Sequence, residues 1–95
     1  MPVRVKGYLV FKDLVGELII QKTAGETLTL QVVLQRLCSQ KGQAFEQTVL
    51  DSSGNLQNSI AILVNGRHYK YLPGKLETEL EEGDEVAIFP PLAGG

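Results

Sequence analysis

The chain has 95 residues, of which 43% are hydrophobic and 21% charged, and this balance predicts one small globular domain. Nine basic and eleven acidic residues give a net charge of −2, which argues against nucleic-acid binding because a polyanion is held by a basic face. The single cysteine, Cys38, excludes a disulfide within the chain and a metal site built from several thiolates. Since no signal-peptide pattern and no apolar stretch near the roughly 20 residues of a membrane span is present, we expect a cytoplasmic protein that binds neither membrane nor metal.

The N-terminal part predicts a β-hairpin. Residues 3–6 alternate between apolar and basic side chains, which is strand periodicity. Gly7 interrupts this pattern as a bulge, and residues 8–11 resume the strand. Residues 17–22 form a second strand that is close enough in sequence to pair with the first.

The period then changes to that of a helix. Residues 30–41 predict an α-helix, with Thr29 as its N-cap and Gly42 as its C-terminal stop. Its apolar residues follow i, i+3, i+4, i+7 and i+8 spacing and therefore share one face: Leu30, Val33, Leu34, Leu37 and Cys38.

The C-terminal half alternates between turns and strands. Residues 51–59 have turn chemistry without periodicity. Residues 60–64 are a continuous apolar run, which predicts a central strand buried on both faces. Asn65-Gly66 is a strong hairpin turn, so residues 67–71 form the next strand. Residues 76–80 form a short helical turn.

The last strand is residues 85–89, EVAIF. Its alternation places Val86 and Ile88 on one face and Ala87 and Phe89 on the other. The predicted order is β-β-α-β-(β)-β. This order favours an α+β fold: a mixed sheet of four or five strands with one main helix on one face and the two terminal strands side by side at its centre.

The predicted body offers no nucleophile–base pair. His68 is the only histidine, and Cys38 lies on the apolar stripe, where a small hydrophobic role is the simpler interpretation. Charge is divided unevenly: residues 1–75 carry nine bases against five acids, whereas residues 76–95 carry six acids and no base. This asymmetry either steers a partner or marks a solvated acidic loop.

The final residues, FPPLAGG, are the most informative stretch. The predicted domain covers residues 1–89, and residues 90–95 form an extended tail. We expect the α-carboxylate of Gly95 to be the reactive group. A carboxylate is a weak electrophile, but transfer of AMP from ATP converts it to an acyl-adenylate with a good leaving group.

The other tail residues suit entry into a partner's channel. Pro90 and Pro91 favour an extended polyproline form, which lowers the entropy lost on docking. Leu92 is an apolar anchor, Ala93 is small, and Gly94 lacks a Cβ and fits a narrow passage. The alternative is a disordered tail with an accidental Gly-Gly ending.

The sequence resembles the MoaD/ThiS sulfur carriers, which are ubiquitin-like β-grasp proteins. The likeness is strongest over residues 62–95 and rests on three segments: Val64-Asn65-Gly66, Leu80 with Gly83-Asp84-Glu85-Val86, and Phe89-Pro90-Pro91 followed by Ala93-Gly94-Gly95. Residues 43–59 are an expansion relative to compact members, and Leu92 stands where valine is more usual.

The resemblance implies the chemistry of the tail. A ubiquitin-activating-type adenylyltransferase, similar to MoeB or ThiF, adenylates Gly95 with ATP, and a sulfur donor enzyme converts the adenylate to a thiocarboxylate. The chain itself then binds no cofactor and is not an enzyme. Its length and Pro-Pro lead are closer to MoaD, which implies the small subunit of molybdopterin synthase with a MoaE-like large subunit. Relatives also serve tRNA thiolation, thiamine or cysteine synthesis, or conjugation to lysines.

The body must dock as well as the tail. In a β-grasp fold one face of the sheet is covered by the helix and the other is exposed. Four aromatic residues are candidates for contact on the exposed face, with packing in the core as the alternative for each: Phe11, Tyr69, Tyr71 and Phe89.

Overall fold

A computed structural model describes residues 2–22 and 25–91 of the chain. Within these ranges five strands form one sheet: β1 (Val3–Gly7), β2 (Glu17–Ile20), β3 (Ala61–Val64), β4 (Arg67–His68) and β5 (Glu85–Phe89). The helices are α1 (Val10–Leu14), α2 (Leu30–Lys41) and α3 (Gln43–Val49), and there are two short 3₁₀ turns: Tyr69–Tyr71 and Lys75–Glu77.

The sheet has the order β2-β1-β5-β3-β4. β1 and β5 are parallel, whereas the β1–β2, β3–β5 and β3–β4 pairs are antiparallel. The parallel pair requires a crossover connection, which the intervening helices supply. The first and last strands are therefore neighbours near the middle of a mixed sheet, as the sequence predicts for a β-grasp fold.

Helix α2 has the predicted bounds and caps. The Thr29 hydroxyl oxygen accepts a hydrogen bond from the backbone N–H of Val32 at 3.2 Å. Gly42 has φ 81° and donates its N–H to the carbonyl of Cys38. Four of the five predicted stripe residues are buried and Cys38 is half-buried. They share one core with the inward side chains of the sheet: Val3, Val5, Ile62, Val64, Val86 and Ile88.

The β1–β2 connection differs from prediction. Residues 8–11 are not a strand, because the chain turns at Leu9 and α1 begins at Val10. The predicted bulge at Gly7 is also wrong, since Gly7 stays in register opposite Ile88. Glycine is needed at position 7 because a Cβ there would overlap the backbone carbonyl oxygen of Phe11 in helix α1.

A second difference is α3, which sequence periodicity does not predict. It lies in the 43–59 segment and buries Phe45 and Val49, so part of this expansion extends the core. The following turn is as predicted. The Asp51 carboxylate accepts hydrogen bonds from the backbone N–H groups of Ser53 and Asn55 at 2.9 and 3.0 Å.

Strand β3 is buried on one face only, so the prediction of burial on both faces is wrong. Ile62 and Val64 point into the core, whereas Ala61 and Leu63 are half-buried on the other side, because the helices cover one face of the sheet. The Asn65-Gly66 hairpin is confirmed. Strand β4 is shorter than predicted, ending at His68, and the second helical turn is Lys75–Glu77 rather than 76–80.

Candidate functional site

The predicted tail begins directly after the end of β5. This strand lies between β1 and β3 and is hydrogen-bonded on both sides, so its end has a fixed position. Pro90 is half-buried and Pro91 is exposed. The remaining predicted tail residues lie outside the described part of the chain: Leu92, Ala93, Gly94 and Gly95. The described residues therefore fix the root of the tail.

An aromatic stack supports that root. The ring of Tyr8 lies 4.5 Å from the ring of Phe89, and the two planes differ by 11°. The Tyr8 backbone N–H also donates to the carbonyl of Ile88 at 3.0 Å. The ammonium group of Lys6 lies 5.3 Å from the centre of the Tyr8 ring, a cation–π distance. The last residue of β5 is thus held by a neighbour from the β1–α1 connection.

We define the outer face as the side of the sheet opposite α2. It contains a shallow hollow of about 400 Å³ beside the aromatic stack. The hollow is lined by apolar, basic and acidic side chains, among them Lys6, Tyr8, Leu63, Glu85, Ala87 and Phe89. A surface that combines apolar and charged side chains in this way is compatible with protein binding.

The four predicted docking aromatics separate into two groups. Phe11 is fully buried and packs against Phe45 with ring centres 5.8 Å apart, because α1 turns it into the core. Tyr69 is also buried, and burial raises the pKa of its hydroxyl. A docking role is therefore wrong for these two. Tyr71 is 78% exposed and Phe89 is half-buried on the outer face, so both remain available to a partner.

Two of the segments that carry the family likeness are joined by hydrogen bonds. The Asn65 side-chain amide donates to Asp84 Oδ1 at 2.9 Å, and the Asn65 side-chain oxygen accepts the Glu85 backbone N–H at 3.0 Å. Asp84 Oδ2 accepts the Glu81 backbone N–H at 2.8 Å. Local sequence patterns do not reveal this connection, because they do not show that residues nineteen apart in the chain meet. This clamp fixes the start of β5.

The acidic C-terminal segment is partly neutralised. The Lys22 ammonium group lies 3.7 Å from the Glu79 carboxylate and 3.5 Å from that of Glu81. Both glutamates are largely exposed, and such pairs contribute little stability. Asp84 belongs to the clamp. The segment therefore has structural contacts within the domain as well as its charge.

The described body holds no evident catalytic centre. Burial, and then the nearby Glu46 carboxylate, raise the pKa of the Cys38 thiol, which makes it a weak nucleophile at neutral pH. His68 Nδ1 accepts the backbone N–H of Lys70 at 3.2 Å. Across residues 2–22 and 25–91, no three His, Cys, Asp or Glu side chains approach closely enough to hold a metal ion.

None of the helices in the described ranges has the length and hydropathy needed to cross a membrane.

Comparison with known proteins settles the family. The model of the ThiS family matches residues 12–95, which is most of the chain. The chain belongs to the ThiS family. Small archaeal modifier protein 3 of Haloferax volcanii is 30% identical over 95 residues, the whole of both chains. A protein of Archaeoglobus fulgidus assigned as a sulfur carrier is 43% identical over 70 residues, covering 74% of this chain and 77% of the relative. This ThiS-family chain therefore has a sulfur carrier and a small modifier protein among its relatives.

Solved structures confirm the ubiquitin-like β-grasp fold. Small archaeal modifier protein 1 of Methanosarcina acetivorans superposes with a TM-score of 0.79 at 28% identity, covering 99% of this chain and 96% of that one. Its counterpart in Haloferax volcanii gives 0.78 at 25% identity over the whole of both chains. A Pyrococcus furiosus protein assigned as molybdopterin converting factor subunit 1 gives 0.69 at 26% identity, covering 97% and 99%.

Proposed function

We propose that this protein is a sulfur carrier whose Gly95 carboxylate is adenylated and then converted to a thiocarboxylate. The observation that carries the proposal is the family match, which extends to residue 95 and so includes the Gly-Gly ending. The structure of the body also supports the proposal, because β5 is an inner strand that leads directly into Pro90 and Pro91. Residues 90–95 act as the tail, and residues 1–89 act as the body that docks.

The proposed reaction takes place in partner enzymes. The Gly95 carboxylate oxygen attacks the α-phosphorus of ATP, and pyrophosphate leaves. Sulfide then attacks the carbonyl carbon of the adenylate, and AMP leaves with the former carboxylate oxygen. With a persulfide donor, a second thiol must reduce the acyl disulfide that forms first. ATP is thus a substrate of the activating adenylyltransferase, and the carrier holds no cofactor.

The outer face is the proposed docking surface for these partners. It includes Phe89, the residue before Pro90, and its apolar side chains include Leu63, Ala87 and Phe89. A partner seated there receives the tail in a constant direction, because the Tyr8 ring holds Phe89. Fixing this direction reduces the entropy that docking must remove.

Molybdopterin synthesis is the pathway we propose first. It is supported by the likeness to the Pyrococcus furiosus converting-factor subunit and by the Pro-Pro lead before the tail. In this role the protein is the small subunit of molybdopterin synthase, and a MoaE-like large subunit receives residues 90–95. A MoeB- or ThiF-like adenylyltransferase and a sulfur donor enzyme complete the set, in the cytoplasm.

Conjugation to lysines is the second candidate. The end-to-end match to small archaeal modifier protein 3 favours it. The same adenylate is attacked by a lysine amine instead of sulfide, and an isopeptide bond forms as AMP leaves. Tryptic digestion of cell protein, followed by a search for lysines that carry residues 76–95 as a branched peptide, distinguishes this outcome from sulfur transfer.

Intact-mass measurement tests the proposal. The protein is incubated with the activating enzyme of its organism, ATP and sulfide. We expect a mass increase that corresponds to exchange of one oxygen atom for one sulfur atom. Deletion of Gly95 and extension beyond Gly95 both abolish the increase while the circular dichroism spectrum stays unchanged.

Cys38→Ser is the matched control, because it removes the only thiol of the chain. The mass increase must persist in this variant if the carboxylate carries the sulfur. A chain extended beyond Gly95 that gains sulfur normally would contradict the proposal, since its Gly95 has no free carboxylate.

A further inference from the structure

Leu9 has an unusual backbone conformation. Its φ is 57° and its ψ is −124°, and the Phe11 N–H donates to the Tyr8 carbonyl across it at 3.0 Å. These angles match the first central position of a type II′ turn, which normally takes glycine because a Cβ is crowded there. A leucine at this position strains the chain.

The Leu9 side chain is also unusually exposed. It is 61% exposed, and the adjacent Val10 is 49% exposed, although both are large and apolar. The two residues form the Leu9–Val10 knuckle. The side chain of Leu9 therefore gains little from the core, while its backbone is strained. Folding alone favours glycine at this position.

The knuckle lies beside the root of the tail. Leu9 directly follows Tyr8, whose ring stacks on Phe89, and Phe89 directly precedes Pro90. Helix α1, which begins at Val10, contacts β5. Whatever receives the tail must approach this connection.

We propose that the Leu9–Val10 knuckle is a contact for the activating adenylyltransferase, seated in an apolar socket beside the channel that receives the tail. This inference rests on the proposed function. A second copy of the chain is a poor occupant, because two side chains bury far less area than the roughly 800 Å² that a stable interface buries on each partner. The knuckle must instead extend a larger contact, which the tail and outer face provide.

Three variants of Leu9 test the inference. Leu9→Gly removes both the strain and the side chain, Leu9→Ala removes the side chain but keeps a Cβ, and Leu9→Met keeps an apolar side chain of similar size. Each full-length variant is assayed for thermal midpoint and for adenylation by the organism's activating enzyme with ATP, measured as pyrophosphate release over a range of carrier concentrations.

We expect Leu9→Gly to raise the midpoint by several degrees while raising KM about tenfold or more, with kcat unchanged. Leu9→Ala raises KM to the same extent with a midpoint near that of the parent protein. Leu9→Met keeps the parent KM. Stability and docking thus change in opposite directions at one residue.

The inference is overturned if Leu9→Gly leaves KM unchanged, because the side chain then makes no contact with the enzyme. It is also overturned if Leu9→Gly lowers the midpoint, because folding then explains the leucine. If the parent protein is adenylated and all three variants keep its KM, the inference about the knuckle fails but the proposed function stands. If the parent protein is never adenylated, both the inference and the proposed function fail.

Discussion

The two faces of the sheet use the same strands for different purposes. The inner face presents aliphatic side chains to α2, and those side chains are buried. The outer face presents basic, acidic and partly exposed apolar side chains around a shallow hollow. Since neighbouring residues of one strand point to opposite faces, stability and docking are encoded in alternate positions of the same segment. Substitutions on the two faces should therefore have separable effects.

The largest expected difference is between Ile62 and Leu63 in β3. Ile62 is fully buried, so Ile62→Ala should lower the free energy of unfolding by about 2–5 kcal/mol. Leu63 is half-buried on the outer face, so Leu63→Ala should cost less than about 1 kcal/mol but weaken binding to the activating enzyme. Urea denaturation and a binding titration measure the two effects. Equal losses of stability in Ile62→Ala and Leu63→Ala would contradict the separation of stability and docking between the two faces.

The clamp between Asn65 and Asp84 tests how β5 is positioned. Asn65→Ala, Asp84→Ala and the double variant form a cycle that isolates the coupling of the two side chains. We expect a coupling free energy of about 0.5–1.5 kcal/mol, because their hydrogen bond is exposed. Chemical denaturation of all four proteins gives this value. If the effects of the two single substitutions on the free energy of unfolding add exactly, the Asn65 and Asp84 side chains do not stabilise each other.

The aromatic stack tests the outer face at the root of the tail. Phe89→Leu retains an apolar side chain but removes the ring that stacks on Tyr8, and should cost about 0.5–1.5 kcal/mol. We expect a larger loss in adenylation than this loss of stability implies, because the tail then leaves the body in a less fixed direction. Tyr71→Leu, which changes an exposed ring that packs against His68 instead of Phe89, is the comparison variant. Similar adenylation by both variants would contradict a positioning role.

The smallest effect concerns Cys38 on the helix side. Burial raises the pKa of the folded thiol above its ordinary value, so the unfolded chain ionises first as the pH rises. The stabilisation that results from this pKa difference is fully present below the ordinary thiol pKa, and it is lost as the pH rises through the pKa of the folded protein. Thermal unfolding between neutral and alkaline pH should therefore show a small decline that is absent in Cys38→Ser. An identical pH dependence of thermal unfolding in both proteins would show that the Cys38 thiol makes no such contribution.

Local patterns predicted those elements that local chemistry determines. The bounds of α2 follow from its apolar stripe, its Thr29 cap and its Gly42 stop. The alternation in β5 correctly separated the inner residues from Ala87 and Phe89. The central parallel pair followed from the order of the elements.

The errors have identifiable physical causes. Helix α1 was missed because the turn at Leu9 lacks the glycine that usually marks it, and this error misplaced Phe11 on an exposed face. Helix α3 is only seven residues long and buries just Phe45 and Val49, which is too little periodicity to detect. The clamp and the aromatic stack join residues distant in sequence, so no local signal shows them.

Locating the transferred sulfur tests the central claim most directly. Residues 76–95 contain no Lys or Arg, so trypsin releases them as one peptide after cleavage at Lys75, while Cys38 lies in the separate peptide 37–41. After reaction with the activating enzyme, ATP and sulfide, the account predicts that tandem mass spectrometry finds the added sulfur only in peptide 76–95, at Gly95. Sulfur found on Cys38, or nowhere in the chain, would contradict it.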